Sequence, residues 1–209
     1  MKAKTFSILA GSEACNARCP FCVSKMTPPN GVDLKEPDVN WRNFRIACRY
    51  AKQSGVDTAM ITSKGEPTLF PHQIPKYLDA RIEFEVPFVE LQTNGILISE
   101  KRDKYDRFMR EWYDRGLTLT AISITHYDPN KNRQIYLPYK EKYIDIPELV
   151  GYIHSLGLAV RLTCVALDGF IDSSLELEKL IEFSKKNGIE QLTVTPVNNP
   201  EVTRSLEVY

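Results

Sequence analysis

Short apolar runs alternating with helical stripes, and closed repeatedly by glycine, predict an α/β fold. The class is a partial TIM barrel of about six βα units, (β/α)6, with parallel strands inside and helices outside. Three observations carry this. Runs of strand length recur six times, from Thr5–Leu9 to Gln191–Thr195. Apolar residues at three- and four-residue steps mark helices between them. Helix, glycine and strand follow one another four times, at Gly55, Gly116, Gly157 and Gly188.

Each element has its own reason. Thr5 to Leu9 is an apolar run broken by Gly11 and Ser12. A loop follows, and its piece Thr27-Pro28-Pro29-Asn30-Gly31 cannot be regular structure. A helix from about Asn40 to Ser54 aligns Trp41, Phe44, Cys48 and Ala51 on one face, which places the Cys48 thiol in the core. Gly55 ends it. Asp57 to Thr62 is the second strand, and Phe88 to Thr93 the third. A helix from about Glu100 to Arg115 carries Tyr105, Phe108, Met109 and Trp112. Thr118 to Ile124 is the fourth strand. Asp145 caps a helix with Pro147 in its first turn, and Gly157 stops it. Ala159 to Ala166 is the fifth strand. A helix from about Ser173 to Asn187, capped by Asp172 or Ser173, leads to the sixth at Gln191 to Thr195. The piece after Pro196 is too short for two more units, so 1–209 reads as one domain that stops at six strands or belongs to something longer.

The composition is that of a globular protein, 43% hydrophobic and 26% charged. Lys plus Arg equal Asp plus Glu at 27 each, so nothing advertises a nucleic acid. The apolar run Phe6 to Ala10 is too short for a signal peptide, and no run approaches a membrane span. A cytoplasmic monomer or weak dimer is expected.

Cys15, Cys19 and Cys22 lie within eight residues, and no fourth cysteine is near. A structural zinc site takes four closed ligands, and a fully protein-held iron–sulfur cubane takes four thiolates. Three thiolates leave one position open, as a catalytic metal site requires. None of His72, His126 and His154 stands at metal-motif spacing from them. Five cysteines, three clustered, read as metal binding in a reducing compartment.

Cys-x3-Cys-x2-Cys with Phe21 before the last cysteine resembles the signature of the radical S-adenosylmethionine (radical SAM) enzymes. The resemblance implies a 4Fe-4S cluster on Cys15, Cys19 and Cys22, with SAM on the open iron. Reductive cleavage would give methionine and a 5′-deoxyadenosyl radical that abstracts hydrogen from a substrate. Further motifs agree, each just after a strand, where barrels of this kind build their sites. Gly65-Glu66-Pro67 resembles the Gly-Gly-Glu-Pro that holds the SAM amino group, with Lys64 replacing the first glycine. Thr93-Asn94-Gly95 and Ser123 match positions that contact the cofactor. Alternation on the fifth strand turns Arg161, Thr163 and Val165 inward and Leu162 and Cys164 outward. Arg161 would then meet either the SAM carboxylate or an internal acid such as Glu66. Val197, after the sixth strand, would join Phe21 as an apolar wall for the adenine.

Lys25 and Met26 could face the cluster, though solvated and packing roles suit them. His126 and Tyr127 are candidates for substrate contact, and a surface or capping role suits His126 equally. The long polar tract from Tyr127 to Tyr143 is where further contacts would fall. The pattern from the second to the fifth strand most resembles branches that build cofactors or modify peptides. Partners would be a small-molecule or peptide substrate and an external electron donor such as flavodoxin or ferredoxin. No cysteine follows Cys164, so no auxiliary cluster is expected in this chain. Alternatives are an activase for a glycyl-radical enzyme, a non-catalytic iron–sulfur or electron-transfer protein on the same fold, and a zinc-loop module.

Overall fold

In a computed structural model of the chain, residues 2–22, 24 and 34–197 are described. Lys25, Met26 and the irregular piece at 27–31 lie outside them.

The elements run in order as β1 (Thr5–Leu9), α1 (Trp41–Gln53), β2 (Thr58–Thr62), a 3-10 turn (Pro67–Leu69), α2 (Ile74–Glu83), β3 (Phe88–Thr93), α3 (Ile96–Glu100), α4 (Arg102–Asp114), β4 (Leu119–Ile124), α5 (Pro129–Tyr136), α6 (Ile146–Ser155), β5 (Ala159–Ala166), α7 (Ser174–Lys186) and β6 (Gln191–Pro196). The six strands form one parallel sheet in sequence order, with β1 and β6 as its edges. This is the expected partial barrel, and each strand lies within a residue of its expected bounds.

Caps fix the helices. Asn40 Oδ1 accepts from Asn43 N at 3.0 Å to start α1. Asp145 Oδ1 accepts from Glu148 N at 2.9 Å to start α6. Ser173, rather than Asp172, caps α7 by accepting from Glu176 N. Outward strand residues pack under the helices. Ile61, Leu91, Ile122, Leu162 and Cys164 are fully buried. Burial pushes the Cys48 thiol up to about 11 and the Cys164 thiol up to about 12, so both are inert packing groups.

Three departures from the expectation share one cause. α2 was not expected, although Pro75 suits a first turn and Ile74, Tyr77 and Leu78 make a short buried stripe. The helix expected from Glu100 is divided. Lys101 leaves the helical region at φ −121°, and a separate turn, α3, precedes it. The tract from Tyr127 to Tyr143 contains α5, started by Asp128 accepting from Asn130 N and by Pro129 at its first position. Helices of five to ten residues are too short to show a sustained period. No helix among the described residues is long and apolar enough to cross a membrane.

Candidate active site

The carboxyl ends of the strands meet at one cavity of about 360 Å³, within the size range of ligand sites. Cys15, Cys19, Phe21 and Cys22 enter it from the loop after β1. Ser63, Gly65 and Glu66 enter after β2, and Thr93 and Asn94 at the end of β3. Ser123, Val165 and Val197 complete the wall from β4, β5 and the end of β6. None of the five cysteines is in a disulfide.

The loop after β2 is laced to the cysteine loop. Ser63 Oγ donates to Ser12 O at 2.9 Å, and Glu66 N donates to Ala14 O at 2.8 Å. Gly65 lies flat against this contact. A Cβ there would sit 1.9 Å from Ala14 O, so only glycine fits. Lys64 turns the other way and pairs with Glu13 at 3.0 Å. The position that departs from the Gly-Gly-Glu-Pro pattern thus adds an ion pair between the two loops.

Glu66 is 2% exposed and its carboxylate is filled by this chain. Oε1 accepts from Thr68 N, Thr68 Oγ1 and Thr93 Oγ1, the last two at 2.6 Å. Oε2 accepts from Asn94 N at 2.8 Å. Burial pushes this carboxyl up, and the hydrogen bonds oppose it by favouring the charged form. Its geometry is that of a pin between β2 and β3. Pro67 is buried beside it and opens the 3-10 turn.

Several residues at the site were not singled out individually by the sequence, although two of them lie in the tract from Tyr127 to Tyr143. Tyr136 lines the cavity from the end of α5, and its O accepts from Arg18 N at 3.1 Å. Tyr139 Oη donates to Asn16 O at 2.8 Å, and Arg18 lies over the Tyr139 ring. Burial holds the Tyr136 phenol well above the usual range. The tract from Tyr127 to Tyr143 therefore clamps the cysteine loop. Gln92 faces the cavity as well, and only the strand's inward alternation hinted at it.

Other candidates lie elsewhere. Arg161 is not among the residues lining the site cavity, and it pairs with Glu90 of β3. It lines a separate cavity at the opposite mouth of the barrel with Thr5, Thr58 and Gln191. Of the two expected partners, the internal acid is the one present, and it is Glu90 rather than Glu66. Arg161 stands near the start of β5, two inward positions before Val165, which does line the site cavity. His126 is 3% exposed and does not line the site cavity. Its Nδ1 accepts from Asp128 N at 2.9 Å, which is the capping alternative. Tyr127 Oη donates to Glu176 Oε2 at 2.7 Å and holds α7. Both side chains are thus engaged within the chain, away from the residues that line the site cavity.

Two features fit an iron–sulfur cluster with an open iron. Three soft donors share one cavity, and Asn16 Nδ2, inside the cysteine loop, is buried without an acceptor. A sulfur-rich group beside it would supply one. A model of the radical SAM superfamily matches residues 10–184. The chain belongs to the radical SAM superfamily. Its cofactors are therefore a 4Fe-4S cluster and SAM, and it is an enzyme. This radical SAM chain is 26% identical over 176 residues to GTP 3′,8-cyclase of Aeromonas hydrophila subsp. hydrophila, covering 80% of this chain and 47% of the cyclase. Its fold resembles native anSMEcpe with bound AdoMet, with a TM-score of 0.61 at 13% identity, covering 95% of this chain and 53% of that one. It also resembles methylornithine synthase, with a TM-score of 0.65 at 12% identity, covering 94% and 54%. The chain spans about half the length of these relatives.

Proposed function

We propose that Cys15, Cys19 and Cys22 hold three irons of the cluster and that SAM lies across the same cavity. The observation that carries this is the meeting of all three thiols with the carboxyl ends of the strands in one cavity. When bound, the cluster supplies the electron that splits SAM into methionine and a 5′-deoxyadenosyl radical. The chain's residues bind, orient and shield. With Glu66 occupied by Thr68, Thr93 and Asn94, the SAM amino group falls to backbone carbonyls at Ser63 to Gly65. Ser123 offers a hydroxyl from β4. Phe21 and Val197 offer apolar walls to the adenine, and Tyr136 closes the site against water.

The substrate is of the cofactor-biosynthesis or peptide-modifying type. The likeness to GTP 3′,8-cyclase supports a small molecule, and GTP is the first to try. An external flavodoxin or ferredoxin supplies the electron in the cytoplasm. We take residues 1–209 as a single radical SAM core domain.

The test is anaerobic reconstitution with iron and sulfide, reduction with dithionite, and assay of 5′-deoxyadenosine from SAM with and without GTP. Formation of 5′-deoxyadenosine that Cys19→Ala abolishes supports the reading. Undiminished turnover by Cys19→Ala overturns it. An intact four-iron spectrum with no perturbation of its paramagnetic resonance by SAM would favour a non-catalytic iron–sulfur protein.

A further inference from the structure

Asn94 stands between the SAM-side loops and the cysteine loop, and its backbone N–H and both ends of its side-chain amide are engaged. Its backbone N donates to Glu66 Oε2 at 2.8 Å. Its Oδ1 accepts from Ile96 N, the first residue of α3, at 3.0 Å. Its Nδ2 is directed at the cysteine loop, with Asn16 Oδ1 at 2.7 Å and Cys15 Sγ at 3.9 Å. A primary amide has two hydrogens, so both contacts can be made at once. The residue is 7% exposed, and Glu66 and Ile96 fix it on either side. The donor is therefore held in place before any cluster arrives.

We infer that Asn94 is a positioning residue for the cluster, whose amide donates to the Cys15 sulfur and raises the cluster's reduction potential. This rests on the reading of Cys15 as a cluster ligand. Hydrogen bonds to cluster sulfurs are among the main levers on potential, because they stabilise the extra negative charge of the reduced state. Partners one shell out from a metal commonly orient and tune its ligands. Here that partner is pinned by Glu66, so one chain of bonds joins the Gly-Glu-Pro loop to a cluster thiolate. Ala17 N also donates to Cys15 Sγ, at 3.4 Å. It is a backbone donor that side-chain substitution leaves in place.

The test is a redox titration of the reconstituted chain without SAM, followed by paramagnetic resonance, with iron content and resonance Raman spectra of the iron–thiolate stretch. Asn94→Ala and Asn94→Ser are compared with the unaltered chain. Serine keeps a short acceptor for Ile96 N but is too short to reach Cys15. Both are expected to retain four irons, to shift the potential downward, and to raise an iron–thiolate frequency. Asn16→Ala, which loses the tether but keeps the donor on sulfur, is expected to stay near the unaltered value. An unchanged potential in the two Asn94 variants overturns the inference. An equal shift in Asn16→Ala overturns it too, since the tether would then be the cause. Loss of iron from both Asn94 variants, with the fold intact by circular dichroism, overturns it in favour of a role in cluster assembly. Absence of a four-iron spectrum in the unaltered chain would instead defeat the cluster assignment itself.

Discussion

Glu90 and Arg161 form an ion pair across the inside of the barrel, from β3 to β5, beneath the cavity that holds the cysteines. Gln92 Nε2 donates to the same carboxylate oxygen at 2.9 Å. The side chains are 6% and 19% exposed, so the pair is largely out of water. Removing one partner leaves a buried charge, whereas removing both does not. Arg161→Met should destabilise the chain by about 3–5 kcal/mol, and the double variant Glu90→Leu, Arg161→Met by clearly less. Urea denaturation measures both. SAM affinity, measured on the folded fraction, should be unchanged in each. A selective loss of SAM affinity in Arg161→Met would return the residue to the cofactor.

Gly65→Ala should displace the cysteine loop. The new Cβ would overlap Ala14 O, which is backbone and cannot swing aside. Overpacking of this kind costs about 1–3 kcal/mol. Iron retained after reconstitution should fall with it. Normal iron content would mean that the loops separate without consequence.

Glu66→Gln keeps the size and replaces one acceptor oxygen by a donor. The replaced atom would face either Asn94 N–H or the Thr68 and Thr93 donors. A buried donor opposite a donor costs about 1–3 kcal/mol. Thermal or urea unfolding of the two chains should show that loss. A stability equal to the unaltered chain would indicate that the carboxyl is protonated and already donating.

His126 should give the fold an acid sensitivity. Burial and nearby Lys131 hold its imidazole below the usual range, against Glu176 and Asp128. Nε2 lies 3.3 Å from Glu176 Oε2 but without hydrogen-bond geometry, and Nδ1 must stay unprotonated to accept from Asp128 N. A depressed imidazole favours the neutral folded state. The unfolded chain then takes a proton that the folded chain refuses, and stability falls as pH drops below about 6.5. His126→Asn keeps an acceptor for Asp128 N and has no proton to gain. Its stability should vary less between about pH 5 and 7. Parallel curves for the two chains would rule the imidazole out.

The strands, the longer helices and the place of the cysteine loop were legible because their causes are local. Alternation, a 3.6-residue stripe, a cap and a closing glycine each act within a few residues, as Asn40, Asp145 and Gly157 show. Strand order followed from strands alternating with helices, and it brought Cys15, Gly65, Thr93 and Val197 to one end. What the sequence by itself could not decide is which partner each polar side chain takes. Arg161 was free to choose among several acids until the closing of β3 and β5 around the barrel interior brought Glu90 within reach, 71 residues away in the chain. Asn94 reaches Cys15 across 79 residues, and Tyr139 reaches Asn16 across 123. Local propensity carries no information about such pairs. They are selected when burial removes water and each polar group must be satisfied by whatever the fold has brought within reach.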